Sequence, residues 1–182
     1  MLSRRSTLLA TAAGAIVLLS GCATKPPHAA NADGTYCYRI GKIGRQKLTC
    51  TVVPVPSPSV EAEAKRFEGA PGALTVYVVR NRWGDTRNPV PVALDDQPSV
   101  ASIPKSLIRW RLAPGIHRLE LRWDGRTSEI AINGGEHEVL FVELVGTVWA
   151  WGSNYRWKAG SLPESKDRSV KAKLVADVDL SR

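Results

Sequence analysis

Three patterns of apolar and polar positions succeed one another along the chain. Residues 8–19 form an uncharged apolar run of twelve, preceded by Arg4 and Arg5 and closed by Leu19-Ser20-Gly21-Cys22. Residues 23–34 hold Ala, Pro, Asn and Lys without apolar periodicity, the composition of a flexible tether. From Thr35 on, short β-prone runs alternate apolar and polar side chains between clusters of Gly, Pro, Asn and Asp, which is the pattern of strands joined by turns.

Residues 36–40 and 48–53 flank a basic, turn-forming segment, and antiparallel pairing about Ile43-Gly44 places Cys37 opposite Cys50. Val53-Pro54-Val55-Pro56-Ser57-Pro58-Ser59 is a stiff extended connector, because proline fixes φ and removes amide donors. Ser57 or Ser59 then caps a two-turn helix over residues 61–67, stopped by Gly69 and Pro71.

Beyond Gly72 the alternation is direct. Leu74, Val76 and Val78 share one strand face and Thr75, Tyr77 and Val79 the other, before a polar loop at 81–88 carrying Trp83, Gly84 and Asp85. Val90, Val92 and Leu94 lead to the Asp95-Asp96 turn, and Ile108, Trp110 and Leu112 alternate with Arg109 and Arg111 in a half-buried strand with a cationic outer face. Leu119, Leu121 and Trp123 oppose Arg118, Glu120 and Arg122; Asp124-Gly125 is a tight-turn signal, and Ile130 and Ile132 return inward. Residues 139–145 are apolar on both faces, as a central strand requires. A last strand is expected near 155–158. Ser161-Leu162-Pro163-Glu164 then resembles a capping box opening a C-terminal helix, with Val170, Leu174 and Val178 as its buried stripe.

Seven or eight short strands with few helices predict an all-β fold, an antiparallel β-sandwich-like domain with a short helix before it and a C-terminal helix. The expected divisions are a signal peptide at 1–21, a lipidated cysteine and tether at 22–34, a hairpin, connector and helix at 35–72, and the sandwich at 73–182.

Composition narrows this picture. A chain of 182 residues, 43% hydrophobic and 23% charged with three Cys, is neither a disordered tail nor a multi-pass membrane protein nor a cysteine-dense knot. Twelve apolar residues fall short of the roughly twenty a membrane-spanning helix needs, so the segment reads as an export signal. Leu-Ser-Gly before Cys22 resembles the lipobox of bacterial lipoproteins. That resemblance implies cleavage before Cys22, a diacylglyceryl thioether on its sulfur and acylation, with palmitate-type chains, of its new amino group. Several chains anchor stably where one is marginal.

Ala23, rather than Asp, after the cysteine implies sorting to the periplasmic face of the outer membrane. Losing 21 residues leaves 161 of the 182, and losing Arg4 and Arg5 takes the formal charge from +8 to +6. An exported basic chain meets anionic phospholipid, lipopolysaccharide or cell-wall polymers rather than nucleic acid. With Cys22 consumed by lipid in an oxidising compartment, Cys37 and Cys50 are left as a pair. Their disulfide is expected to contribute on the order of 3 kcal/mol.

The succession Ala73-Leu74-Thr75-Val76-Tyr77-Val78-Val79-Arg80, Val92-Ala93-Leu94-Asp95-Asp96, Leu112-Ala113-Pro114-Gly115-Ile116-His117-Arg118-Leu119 and Leu140-Phe141-Val142 resembles the bacterial envelope lipoproteins catalogued as domain of unknown function family 2846. The resemblance covers residues 73–150, and the segment from Trp149 to Trp157 departs from it. It implies a β-fold lipoprotein and supplies no catalytic residue, since that family has no assigned activity.

Candidate chemistry is sparse. His117, His137, Asp85, Asp95, Asp96, Asp124 and Glu143 are the available acid-base groups, without a nucleophile elbow, a phosphate loop, a His-Glu-x-x-His run or a paired-carboxylate signature. No catalytic residue, metal ligand set or cofactor is expected. His117 shares a face with Leu119 and Leu121 and reads as a structural histidine bonded to backbone. Glu143 interrupts an apolar strand, either paired with an Arg inside or marking a wet face.

Six Trp against two Phe is a skewed aromatic set. Trp110 and Trp123 read as core. Trp149 and Trp151, with Asn154, Tyr155, Arg156 and Trp157, form a candidate binding surface if their rings are exposed, and otherwise fill the core. The expected function is a lipid-anchored, non-enzymatic binding or envelope-assembly subunit whose partners are the membrane and either envelope proteins or cell-wall glycan. The alternatives are a glycan-binding module, or a small envelope hydrolase that would need His117 in an open cleft.

Overall fold

The computed structural model describes residues 28–40, 47–80, 88–149, 152–159 and 162–182. The signal peptide, Cys22, the Ile43-Gly44 turn, Trp83, Asp85, Trp151 and the Ser161 end of the capping box lie outside the described residues.

A hairpin, β1 (Cys37–Ile40) and β2 (Lys47–Cys50), opens the fold. Its register sets Cys37 opposite Cys50, and the two sulfurs are bonded. Helix α1 (Pro58–Ala64) follows the proline connector. Ser57 caps it, its Oγ accepting the Val60 N–H, and Pro58 takes the first helical position, where its missing N–H costs nothing. The helix starts and stops earlier than its sequence pattern suggests. Phe67 adopts φ 55°, which turns its ring onto Tyr77 and Phe141 instead of extending the helix.

Two sheets form the body. The first has the order β10-β9-β3-β6-β11 and the second β5-β4-β7-β8. Their strands are β3 (Leu74–Arg80), β4 (Val90–Leu94), β5 (Val100–Ser102), β6 (Ser106–Leu112), β7 (Gly115–Trp123), β8 (Arg126–Gly134), β9 (Val139–Trp149), β10 (Gly152–Ala159) and β11 (Lys173–Leu180), with helix α2 (Leu162–Val170) between the last two. Leu74, Val76, Val78, Ile108, Trp110 and Leu112 of the larger sheet pack on Val92, Leu94, Leu119, Leu121 and Ile132 of the smaller, as the alternation requires. The opposite face of β3 is buried as well, because Tyr77 and Val79 meet Phe67 and Ala64 of the α1 segment together with Leu107, Phe141 and Leu174. Strand β3 therefore occupies the middle of its sheet, with β9 as its interior neighbour. Between β7 and β8, Asp124 and Gly125 both take positive φ, 45° and 70°, the mirror-image turn that matches strand twist.

Two expectations require correction. The C-terminal helix ends at Val170, and the chain re-enters the sheet as β11. Leu174 and Val178 are spaced for a helix, but Ala176, Val178 and Leu180 alternate with Asp177 and Asp179, and a register shift after Leu174 turns that side chain to the opposite face, under α1. Strand pairing sets Asp177 opposite Arg109 and Asp179 opposite Arg111, which a helix could not do. The sandwich is also not wholly antiparallel, since β3 pairs with β9 and β6 with β11 in parallel.

That second parallel pair changes the environment of β6. Arg109 does not lie on a cationic outer face, for only 4% of its side chain is exposed. Its Nε and Nη2 donate to the two Asp177 carboxylate oxygens at 2.8 Å each, and Nη2 also reaches Glu63 Oε2 of α1 at 2.5 Å. Burial works against the charge on Arg109, but Asp177 and Glu63 outweigh it and raise the pKa above the usual range. Glu61 of α1 pairs with Lys65 and with Lys173 at the start of β11, so carboxylates fasten the helix to the sheet.

Candidate functional site

The described residues of the tryptophan segment do not share one face. On β10, Asn154 and Arg156 are exposed, whereas Tyr155 is 1% exposed and belongs to the core. Its ring meets Trp123 edge-on at 5.7 Å and lies beneath the Arg80 guanidinium at 5.1 Å. The inclusion of Tyr155 in a binding surface is thus corrected by strand parity, which sends 155 and 157 inward and 154 and 156 outward. Trp157 is half-buried against the core, and its Nε1–H donates to the Ser128 carbonyl at 3.1 Å, tying β10 to β8. Trp110 is buried in the core and Trp123 packs against it half-buried, as expected. Trp151 and the side chain of Trp149 lie outside the described residues.

The polar site with defined geometry is the corner where the β4–β5 turn meets β7. Register Leu94↔Leu119 brings Asp95 beside Arg118, and the two exchange hydrogen bonds: Asp95 N–H donates to the Arg118 carbonyl, and Arg118 N–H to the Asp95 side-chain Oδ1, each at 2.8 Å. Asp95 holds φ 47°, a left-handed conformation that Asp tolerates better than most residues. His117 Nδ1 lies 2.8 Å from Asp95 Oδ2, and its Nε2 lies 2.8 Å from the Ala113 carbonyl oxygen.

A carbonyl oxygen only accepts, and so does an ionised carboxylate, so both ring nitrogens must carry protons to satisfy this geometry. The surroundings agree. Burial opposes the charged ring, but the Asp95 and Ala113 hydrogen bonds outweigh it and raise the His117 pKa. Burial likewise opposes the Asp95 charge, and His117 together with the Arg118 N–H holds its carboxyl below the usual range. In this arrangement His117 offers no lone pair to a substrate, and a general base needs one.

Two open cavities flank the corner on the outer face of the smaller sheet. One, about 410 Å³, is lined by Asp96, Ile116, His117, Arg118, Glu129 and Ala131 among others. The other, about 360 Å³, lies across Arg118 and is bounded by Gln97, Ser99, Glu120 and Arg122. Ile116 is 77% exposed at the rim of the first, and Arg118 comes within 3.8 Å of Asp96. The face thus carries one apolar side chain among fixed charges of both signs.

The remaining candidates have structural partners. Glu143 is buried, ion-paired with Arg168 of α2 and accepting from Ser165 Oγ at 3.2 Å. The inside-paired alternative is the one realised. Asp124 accepts from Ser153 Oγ at 3.2 Å. His137 is exposed with φ 60°, and its N–H donates to the Ala73 carbonyl. Among the described residues, no group of three His, Cys, Asp or Glu side chains could hold a metal ion, and no helix is long and apolar enough to cross a membrane.

The sequence pattern marks Asp95 as a turn residue and one of several acid-base groups, and Arg118 as an outward charge, without joining either to His117. The signal that joins them is the β4–β7 register, a pairing across more than twenty residues that alternation alone does not specify. No protein-family model matches the chain, and no curated protein matches it.

Proposed function

We propose that the chain is an envelope lipoprotein, anchored through acyl chains on Cys22 at the periplasmic face of the outer membrane. In this reading it is a non-enzymatic binding or assembly subunit, of the kind represented by the lipoproteins of unknown function that its strand pattern resembles. The observation that carries the proposal is the corner at His117. Its imidazole is committed at both nitrogens to holding a turn, and beside it Ile116 stands exposed among Asp96, Arg118 and Glu129. A rigid apolar anchor within a charged rim is the layout of a protein-recognition patch rather than of a reaction centre.

Two measurements test the reading. Metabolic labelling with palmitate should mark the wild type and fail on Cys22→Ser; equal labelling of both removes the anchor. A photo-crosslinking amino acid at position 116 in intact cells should yield a reproducible protein adduct that Arg118→Glu abolishes. Recovery of glycan or lipid adducts alone would overturn the assembly role.

A further inference from the structure

We propose that the outward face of the β1–β2 hairpin rests on the surface of an anionic phospholipid bilayer. This rests on the lipoprotein reading and adds to it the orientation of the domain on its membrane.

The hairpin has two chemically opposite faces. Tyr36, Thr49 and Thr51 point into the protein, at 3%, 6% and 6% exposure. Tyr38 pairs with Thr49 on that same side, below the Lys105 ammonium. Mutual contacts lock this inner face, with Tyr36 N–H donating to Thr51 Oγ1 at 3.0 Å and Thr51 N–H to the Tyr36 carbonyl at 2.9 Å.

The outward side carries the Cys37–Cys50 bridge, with Arg39 directly across from Leu48. Val52 and Val53 follow just beyond the end of β2. Leu48 is 56% exposed, Val52 82% and Val53 62%, so three of the five large apolar side chains exposed among the described residues fall within six positions. The bridge crosslinks the two strands at the end of β2, between Leu48 and the exposed Val52-Val53 pair that follows it. Between Gly34 and Val60 the sequence has four cations and no carboxylate.

Exposed apolar side chains beside Arg39, in a stretch of sequence otherwise basic, suit an interface where acyl carbon meets anionic headgroups: the side chains enter the boundary while the charge stays with phosphate. The length of chain before the hairpin favours this occupant over a protein. Fourteen positions separate Cys22 from Tyr36, so the hairpin stays within about 50 Å of its lipid even at full extension. The reach is shorter still, because Asn31 and Thr35 close a turn. A surface held that near a bilayer meets it at high effective concentration.

The test uses the full lipidated chain reconstituted on vesicles of phosphatidylethanolamine with phosphatidylglycerol, and separately on phosphatidylcholine alone. The readouts are flotation and amide hydrogen exchange. The protein should float with both. Exchange over residues 48–53 should be severalfold slower on the anionic vesicles, and Val52→Asp or Arg39→Ser should abolish the difference, as should raised ionic strength. Both variants alter exposed side chains, so folding is not at stake, and unchanged exchange elsewhere verifies this. Flotation with exchange at 48–53 indifferent to lipid composition and to both variants overturns the proposal while leaving the anchor standing. Failure to float overturns the anchor, and the proposal with it.

Discussion

Two clusters of opposite charge join strands in this protein, and water reaches them differently. Where β6, β11 and α1 meet, the Arg109 side chain is 4% exposed and Asp177 12%, and the guanidinium forks across both carboxylate oxygens. At the corner of β4 and β7, His117 is 16% exposed and its partner Asp95 41%. The Arg109–Asp177 pair has traded solvent for fixed partners, with Glu63 of α1 half-exposed at its rim, so the two buried charges depend on each other. The second keeps one partner in water, which can replace what is lost. The same interaction is therefore architecture in one place and an adjustable clasp in the other.

The strongest way to break this comparison is at Arg109. Arg109→Ala leaves Asp177 with Arg111 as its remaining partner, at 3.1 Å, and frees α1 from Glu63, so unfolding free energy should fall by about 3 kcal/mol, the low end of the cost of removing one partner of a buried pair. Urea titration measures it. A loss under about 1 kcal/mol, the value of exposed pairs, would show that solvent reaches this cluster after all. Acid should have a related effect. Arg109 holds the Glu63 carboxyl below its usual range, so that group's contribution is complete above the ordinary value of 4.5 and is lost as pH falls through the depressed one.

A perturbation outside both clusters gives the comparison a scale. Cys37→Ser with Cys50→Ser opens a crosslink between residues 13 apart, and should lower stability by about 3 kcal/mol through the freed unfolded chain. Unchanged urea midpoints in the double variant would mean that the inward Tyr36 and Thr51 contacts already constrain the hairpin.

What the sequence discloses follows the range of each interaction. The disulfide, the Asp124-Gly125 turn and the inward face of β7 are set within single hairpins, the longest span being the 13 positions between the cysteines, and each appears where the pattern places it. Strand β11 does not, because Val170, Leu174 and Val178 satisfy a four-residue spacing while residues 176–180 satisfy a two-residue alternation that begins only after a register shift. The arbiter is Arg109, whose need for Asp177 is visible only once β6 and β11 lie side by side. Tyr155 is legible in principle, since its parity opposes Asn154 and Arg156, whereas proximity in sequence alone groups all three. The site at Asp95 and His117 depends on a strand register between distant segments, so its residues were visible singly and not as a cluster.

The clasp at His117 should show itself through pH. Its folded-state pKa is raised above the ordinary 6.5, so its contribution is complete below that value and is lost as pH rises through the raised one. Asp95 is held low and drops out only in acid. The stability difference between wild type and His117→Gln should therefore be greatest near pH 5–6, at no more than about 1 kcal/mol, and should vanish toward pH 9. A difference constant across that range would mean that the ring is held by packing rather than by charge. The Arg109 deficit should stay flat over the same interval, since its guanidinium remains charged throughout.

The smallest expected change in stability tests whether the open corner is a surface for something else. Ile116→Ser alters a side chain that touches solvent over most of its area, and Arg118→Ala removes a long, exposed contact with Asp96. Each should shift unfolding by no more than about 0.5 kcal/mol, the range of ordinary surface substitutions. If this face recognises a protein, the same two changes should still sharply reduce recovery of that partner by crosslinking in cells, because a central apolar anchor and its charged rim carry most of the affinity in such patches. Arg109→Ala should reduce recovery only in proportion to the protein it unfolds. A variant at 116 or 118 that stays folded and keeps its full complement of adducts would place the contact elsewhere, and would leave the exposed Ile116 as an unremarkable surface residue.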